Sequence, residues 1–418
     1  MPPSDPPATH VDAQRELQAA RRHVAASRFV EAEQAYGRVL ALQPEEAESL
    51  HFLGAAAAQR GDYDIAVNLL SRSSKAAPAN FNVLTELGIV YRRAERYDAA
   101  RYTLERATRL GAARNPSIRL VLAHLLETDR RPELALLHYC QATIEARQLR
   151  RWQGDDGVGY ETDRLVPHAA QFIATGRRAW FDRALASARE VEDANHSDRI
   201  DDAVAMHLGE RRFALADPRQ RAGFMHVPGL RAIAFPEPSA FAWLAQVVNL
   251  VALEDEVNAC LAKAAASGTL LLPLHVRGLV QYEARRHAPR LRALVEALPL
   301  ANVPNLAPDV SLIAIDAGGR LPLHHGPSNA RCQVVVNLED GAAIEVVVGG
   351  ESRTLAPGKC IAIDPSLGVE YRNAGATRAK LLVLDAWHPD LSDAERRALS
   401  AVLVAALDFD ARLQELNA

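Results

Sequence analysis

The stretch HHGPSNARCQVVVNL, residues 324–338, sets two imidazoles, His324 and His325, beside a Gly-Pro turn and ahead of an apolar run. An imidazole so placed is a candidate metal ligand, because neutral histidine is the commonest protein donor to a transition metal. One imidazole with water holds such an ion weakly, so metal chemistry needs a second donor. About 45 residues on, the segment DPSLGVEYRN at residues 364–373 offers Asp364 and Glu370 but no histidine. Glu370 follows Val369, and consecutive side chains on a strand face opposite ways. Glu370 therefore shares the space of Val369 only if the strand slips by one residue or bulges. Cys140, Cys260, Cys332 and Cys360 lie far apart with no CxxC pair, which argues against a structural zinc site or a disulfide framework.

These residues need a scaffold, and the second half of the chain supplies one. Beyond Pro304, DVSLIAID, QVVVNL, AIEVVV, CIAID and AKLLVLDAW alternate with period two, separated by the turns DAGG, VGGE and APGK. Short strands at this spacing predict an antiparallel barrel or double-sheet jelly roll. A helix is expected to begin near Ser239, and SDAERRAL predicts a closing helix with Ser392 and Glu395 as a capping box.

The first part of the chain repeats itself. Ala32, Ala66 and Ala100 recur every 34 residues, as do Pro44 and Pro78, and Gly54 and Gly88. Leu-Gly early, Ala in the middle and Pro at the end of each unit resemble the tetratricopeptide repeat. RPELALLHYCQA is a fourth copy, with Ala135 one residue late. Small residues at these points allow two helices to approach closely, and the prolines end the second helix of each pair. Stacked hairpins form a superhelix whose concave face binds extended partners, so a peptide or protein partner is expected here. Between the two patterns, residues 146–225 predict a helical connector, with WQGDDGVGYETD at 152–163 as a loop. Trp152 and Trp180 are read there as core or interface aromatics.

The 418 residues are 49% hydrophobic and 24% charged, with a net charge of −4. This composition suits a multidomain globular chain and gives no bulk electrostatic reason to expect nucleic acid or anionic membrane as a partner. MPPSDPPATH lacks the basic and apolar regions of a secretory leader, and no apolar run approaches the length of a membrane span. A cytoplasmic location is expected, with residues 1–12 disordered, repeats over 13–145, the connector over 146–225 and the β domain over 226–418.

The order PGLRAIAF–PSAFAWLAQV, LRALVEALPLANVPNLAPDVSL, LPLHHGPSNARCQVVVNL, ESRTLAPGKCIAIDPS and LVLDAWHPDLSDAERRAL resembles the aspartyl/asparaginyl β-hydroxylase family over roughly residues 225–405. It includes the H-x-G-P-[ST]-N-x-R and D-x-W-x-P-x-L-[ST]-x-x-E-R motifs. The resemblance implies a double-stranded β-helix, a jelly-roll or cupin-like fold, behind a tetratricopeptide α-superhelix. It also implies Fe(II), 2-oxoglutarate and hydroxylation of Asp or Asn side chains in a peptide.

Carried over residue by residue, the resemblance places the first iron ligand at His324 and the second at Val369. A cosubstrate histidine position falls on Val335, and the arginine for the 2-oxoglutarate carboxylate falls on Ala379 with Arg378 adjacent. Another cosubstrate arginine position holds Gln333. Ser328, Gln333 and Arg378 are thus the cosubstrate-contact candidates, and Asp364 is expected to brace its loop. Two functions follow: a divergent dioxygenase acting on a peptide held by the repeats, or a catalytically inactive relative serving as an adaptor. If the site has been emptied, Val335 and Val369 should point into the same space beside His324, with Glu370 facing away.

Overall fold

The computed structural model describes residues 8–111, 115–152, 160–189, 198–221, 223–244, 253–262, 269–338 and 342–416. The chain forms two compact units, residues 1–177 with 410–418, and residues 178–409.

The first unit opens with four helical hairpins: α1 (Ala8–Ala25) with α2 (Phe29–Leu42), α3 (Ala47–Arg60) with α4 (Tyr63–Ala76), α5 (Phe81–Arg93) with α6 (Tyr97–Arg109), and α7 (Pro116–Thr128) with α8 (Pro132–Gln148). Helix α1 begins at Ala8, so residues 8–12 are helical and not part of a disordered tail; residues 1–7 lie outside the described residues. The Glu46 carboxylate accepts hydrogen bonds from the backbone N–H of Glu48 and Ser49, and the Asn80 side chain does the same for Asn82 and Val83. Each satisfies helix-terminal donors that would otherwise lack partners. Ala32, Ala66, Ala100 and the displaced Ala135 are all completely buried, as the repeat register predicts.

The repeat glycines show why the period is kept. A Cβ on Gly54 would stand 2.8 Å from Leu70 Cγ, and one on Gly88 2.5 Å from Leu104 Cδ2. Both leucines are fully buried and cannot swing away. Gly88→Ala is therefore expected to cost about 1–3 kcal/mol through overpacking, against roughly 0.5–1 kcal/mol that better helix propensity returns, for a net loss of stability. Urea unfolding of the two proteins measures this; an unchanged midpoint would show that α5 and α6 can separate at no cost.

One helix runs from Tyr160 to Arg189 and another from Asp198 to Leu208, and the boundary between the two units falls inside the first. Residues 153–159 of the expected Gly/Asp loop lie outside the described residues, but its end, from Tyr160, is helical. Trp152 packs partly buried against the α7–α8 core. Trp180 is buried and donates its indole N–H to the Ala405 carbonyl at 2.9 Å. Near Ser239 the chain makes a 3-10 turn, Pro238–Ala240, and Leu244 is helical; residues 245–252, where the expected helix would run, lie outside the described residues, and the next described helix is Glu254–Ala262.

The second unit is a sandwich of two antiparallel sheets. Its strands are β1 (Leu270–Val276), β2 (Leu279–Val280), β3 (Val310–Ile315), β4 (Arg320–His324), β5 (Arg331–Asn337), β6 (Ile344–Val348), β7 (Glu351–Leu355), β8 (Cys360–Ile363), β9 (Val369–Arg372) and β10 (Ala379–Trp387). One sheet has the order β2-β1-β3-β10-β5-β8 and the other β4-β9-β6-β7. The β1–β2 hairpin is an addition to the strands expected after Pro304. Strict alternation divides the larger sheet. Leu312, Ala314, Val334, Val336, Leu382 and Leu384 face a core shared with helices Glu254–Ala262 and Pro289–Ala297. Ile313, Ile315, Val335, Leu381 and Val383 face the smaller sheet, where Ile344, Val346, Val348, Val369 and Tyr371 complete the core. The last described helix, Asp393–Glu415, starts at the expected capping box: Ser392 N–H donates to Glu395 at 2.8 Å, and Glu395 N–H donates to Ser392 Oγ at 3.2 Å.

Candidate functional site

The loop following β4 and the loop leading into β9 meet each other. Gly326 N–H donates to the Pro365 carbonyl at 2.8 Å, and a Cβ on Gly326 would lie 2.7 Å from Pro365 Cγ. Only glycine lets the two loops approach so closely. Asp364 closes the second loop. It is buried and accepts from Ser366 N–H at 2.9 Å and Ser366 Oγ at 2.6 Å. Burial pushes its carboxyl above the usual carboxylate range, against the lowering effect of the Ser366 bonds.

Strand β4 carries a bulge. Leu321 lies opposite Tyr371, but His324 lies opposite Val369, so β4 has one residue more than β9 between these points. Without that extra residue, Leu323 would face Val369. Bulges re-aim side chains in this way at the rims of barrels. His324 stands exposed, its ring centroid 6.2 Å from that of Tyr371 and its Nδ1 3.0 Å from the Pro322 carbonyl oxygen.

The position opposite His324 offers no donor. Val369 is completely buried in the inter-sheet core, and so are Val335 and Ala379, which occupy two of the cosubstrate positions. Glu370 turns away, as the alternation of β9 predicts: it is ion-paired with Arg372 at 2.7 Å, whose guanidinium holds its carboxyl below the ordinary value. The strand has not slipped to bring Glu370 in. Tyr371 Oη is buried in this core with no hydrogen-bond partner from the protein. Burial pushes the phenol's pKa upward, so it stays a neutral group and a poor metal ligand. Among the described residues, His324 belongs to no cluster of three metal-ligating side chains.

The three cosubstrate-contact candidates are engaged elsewhere. Ser328 Oγ donates to the Met225 carbonyl at 2.7 Å and accepts from Ala330 N–H at 3.1 Å. Gln333 hydrogen-bonds Asp385 across the β5–β10 pair. Arg378 pairs with Asp316 at 3.0 Å. Strand β10 starts at Ala379, which faces inward opposite Ile315, so no one-residue shift restores an arginine to the site. Ser328, Gln333 and Arg378, expected to contact a cosubstrate, each serve a separate structural contact. These residues do not fit Fe(II) with 2-oxoglutarate, since the second ligand and the carboxylate anchor are both hydrocarbon.

Most of the H-x-G-P-S-N-x-R motif has an architectural role. Asn329 is buried and pairs with Val227 as a strand neighbour would, accepting from its N–H at 2.8 Å and donating to its carbonyl at 2.9 Å. The Pro327 carbonyl accepts from Gly223 and Phe224, and Arg331 forms a buried ion pair with Asp385 at 2.8 Å. His388 is likewise structural. Its Nε2 meets the Arg231 carbonyl at 3.1 Å and its Nδ1 accepts from Asp390 N–H. Sequence reasoning missed the Arg331–Asp385 pair, although both residues belong to motifs it had recognised.

Residues 265–389 match the sequence model of the aspartyl/asparaginyl beta-hydroxylase family. The chain is 30% identical over 120 residues to aspartate beta-hydroxylase domain-containing protein 2 of Rattus norvegicus, covering 28% of this chain and 35% of that protein. It is 29% identical over 140 residues to aspartate beta-hydroxylase domain-containing protein 1 of Bos taurus, covering 33% of this chain and 38% of that protein. The chain therefore spans about a third of the length of the curated relatives it matches. Among solved structures, MamA is similar at 20% identity and a TM-score of 0.31, covering 38% of this chain and 87% of that chain. The family match thus falls on residues 265–389, within the sandwich unit, and the helical array with the 34-residue period precedes it.

Proposed function

We propose that the β domain is a hydroxylase-type sandwich without iron or cosubstrate chemistry, and that the chain acts as a protein-binding adaptor. The observation that carries this reading is Val369, a hydrocarbon buried directly opposite His324 where a second ligand is needed. Val335 and Ala379 support it, since apolar packing fills the positions of polar cosubstrate contacts. The repeat array supplies the partner-binding surface, for an extended peptide or protein segment. The cysteines, none of which forms a disulfide, support a cytoplasmic location; among the described residues no helix is long and apolar enough to cross a membrane.

The rival reading is a working dioxygenase that hydroxylates Asp or Asn in a peptide delivered by the repeats. It is favoured by His324, whose ring stands exposed at the end of its strand and not in a packed core. Calorimetric titration of Mn(II), with and without 2-oxoglutarate, separates the two. The parent and His324→Ala proteins are expected to give the same isotherms, and neither should form succinate from 2-oxoglutarate with Fe(II). An equivalent of metal that is lost in His324→Ala, or succinate formed by the parent, would establish the dioxygenase.

A further inference from the structure

A separate cluster of metal-ligating side chains lies in the repeat unit. His124 and Glu127 are three residues apart on α7 and so share one helix face. His168, on the helix Tyr160–Arg189, meets them from the side. His168 Nε2 is 2.7 Å from Glu127 Oε2, and His124 Nδ1 is 3.7 Å from the same oxygen. One ligand atom from each of the three residues falls within 4.8 Å of the other two. Among the described residues it is the one such cluster.

We propose that His124, Glu127 and His168 bind a divalent transition-metal ion, with Zn2+ the best match to two imidazoles and one carboxylate. Ligand atoms about 2.0–2.2 Å from a shared Zn2+ lie within roughly 4.4 Å of one another. The spacing seen here therefore needs only small side-chain rotations, which the partial exposure of all three residues allows. That exposure also gives the ion a route in and leaves room for water as a fourth ligand.

The surroundings hold the ligands in place. Tyr139 is completely buried and donates its hydroxyl to Glu127 Oε2 at 2.8 Å. Its ring and that of Phe172 pack against the His168 imidazole. A carboxylate oriented by a buried donor, beside an imidazole fixed by aromatic packing, is the kind of support that metal ligands receive in proteins. Without metal, an imidazole N–H fills the gap by donating to Glu127; the ion would displace that proton. A bound ion would then tie the helix Tyr160–Arg189 to α7 at the end of the repeats, adding a cross-link between two helices of the first unit.

The test is a Zn2+ titration of the full chain, with Co2+ absorption to report coordination. One equivalent is expected in the parent and, unchanged, in His324→Ala, which separates this site from the β domain. His124→Gln, Glu127→Gln and His168→Gln should each lose it. His124→Gln leaves the Glu127–Tyr139 and Glu127–His168 hydrogen bonds in place, so its loss of binding cannot be ascribed to unfolding, and circular dichroism verifies this. Absence of binding in the parent, or binding retained in His124→Gln and His168→Gln, would overturn the site.

Discussion

Asp385→Ala is expected to destabilise the β domain by about 3–5 kcal/mol, the usual cost of removing one partner of a buried ion pair. Asp385 is almost completely buried. It accepts from Arg331 at 2.8 Å, from Asp309 N–H at 3.1 Å and from the Gln333 side chain. Burial raises its pKa, and the Arg331 charge acts in the opposite direction. Without the carboxylate, a buried guanidinium keeps its desolvation penalty and loses its counter-charge. Asp309 is the remaining acid near Arg331, at 3.9 Å and about half exposed, and so returns only part of the loss. Because the cost comes from an uncompensated charge, removing both charges should be far less harmful than removing one. The double variant Arg331→Met, Asp385→Leu is expected to recover most of the lost stability. Urea unfolding of parent, single and double variants measures this. A single-variant loss below about 1 kcal/mol would show that Asp309 takes over the pair, because a lone buried charge costs several times that.

That ion pair also marks where the sequence stops being informative. The repeats were legible because a 34-residue period is a local pattern in which Ala32, Ala66 and Ala100 each announce a close helix contact. The strands were legible because side chains alternate on a pleated sheet, which sets Val369 and Glu370 on opposite faces. Strand β1 was missed, since LLLPLHV contains Pro273 and does not alternate cleanly between apolar and polar residues; it is held by pairing with β3. The motif around His324 was legible as a pattern but not as a set of duties. Ser328 and Asn329 bond to Met225 and Val227, about a hundred positions earlier in the chain, and no spacing rule reveals such partners. Arg378 failed for a related reason. A loop next to a missing arginine invites a one-residue shift, but the pairing of Ala379 with Ile315 fixes β10 and leaves Arg378 to Asp316. The cluster in the repeats shows the same limit, because His124 and Glu127 sit within one turn of helix while His168 comes from another helix.

Val369→His is expected to create a metal site that the parent lacks, without creating an enzyme. Directly opposed residues of an antiparallel pair have Cβ atoms about 4.5–5.5 Å apart, and Val369 is opposite His324. An imidazole there would share an ion with the one across the strand. The substitution carries a cost, because Val369 is completely buried. Overpacking costs about 1–3 kcal/mol, and burying a polar ring without a partner adds about 1–3 kcal/mol. The metal-free variant should therefore unfold more easily than the parent. Saturating Zn2+ should offset much of that loss, since a ligand at a hundred times its Kd contributes about 2.7 kcal/mol. In calorimetry, Val369→His should show one equivalent of Zn2+ beyond the parent, and adding His324→Ala should remove that equivalent alone. Activity should not follow, because Ala379 and Gln333 still stand where cosubstrate arginines would be needed and Arg378 stays with Asp316. If Val369→His instead binds no extra metal, the bulge in β4 does not aim His324 at β9. If it turns over 2-oxoglutarate, the cosubstrate anchor lies in residues other than those matched here, and the adaptor reading fails at that point.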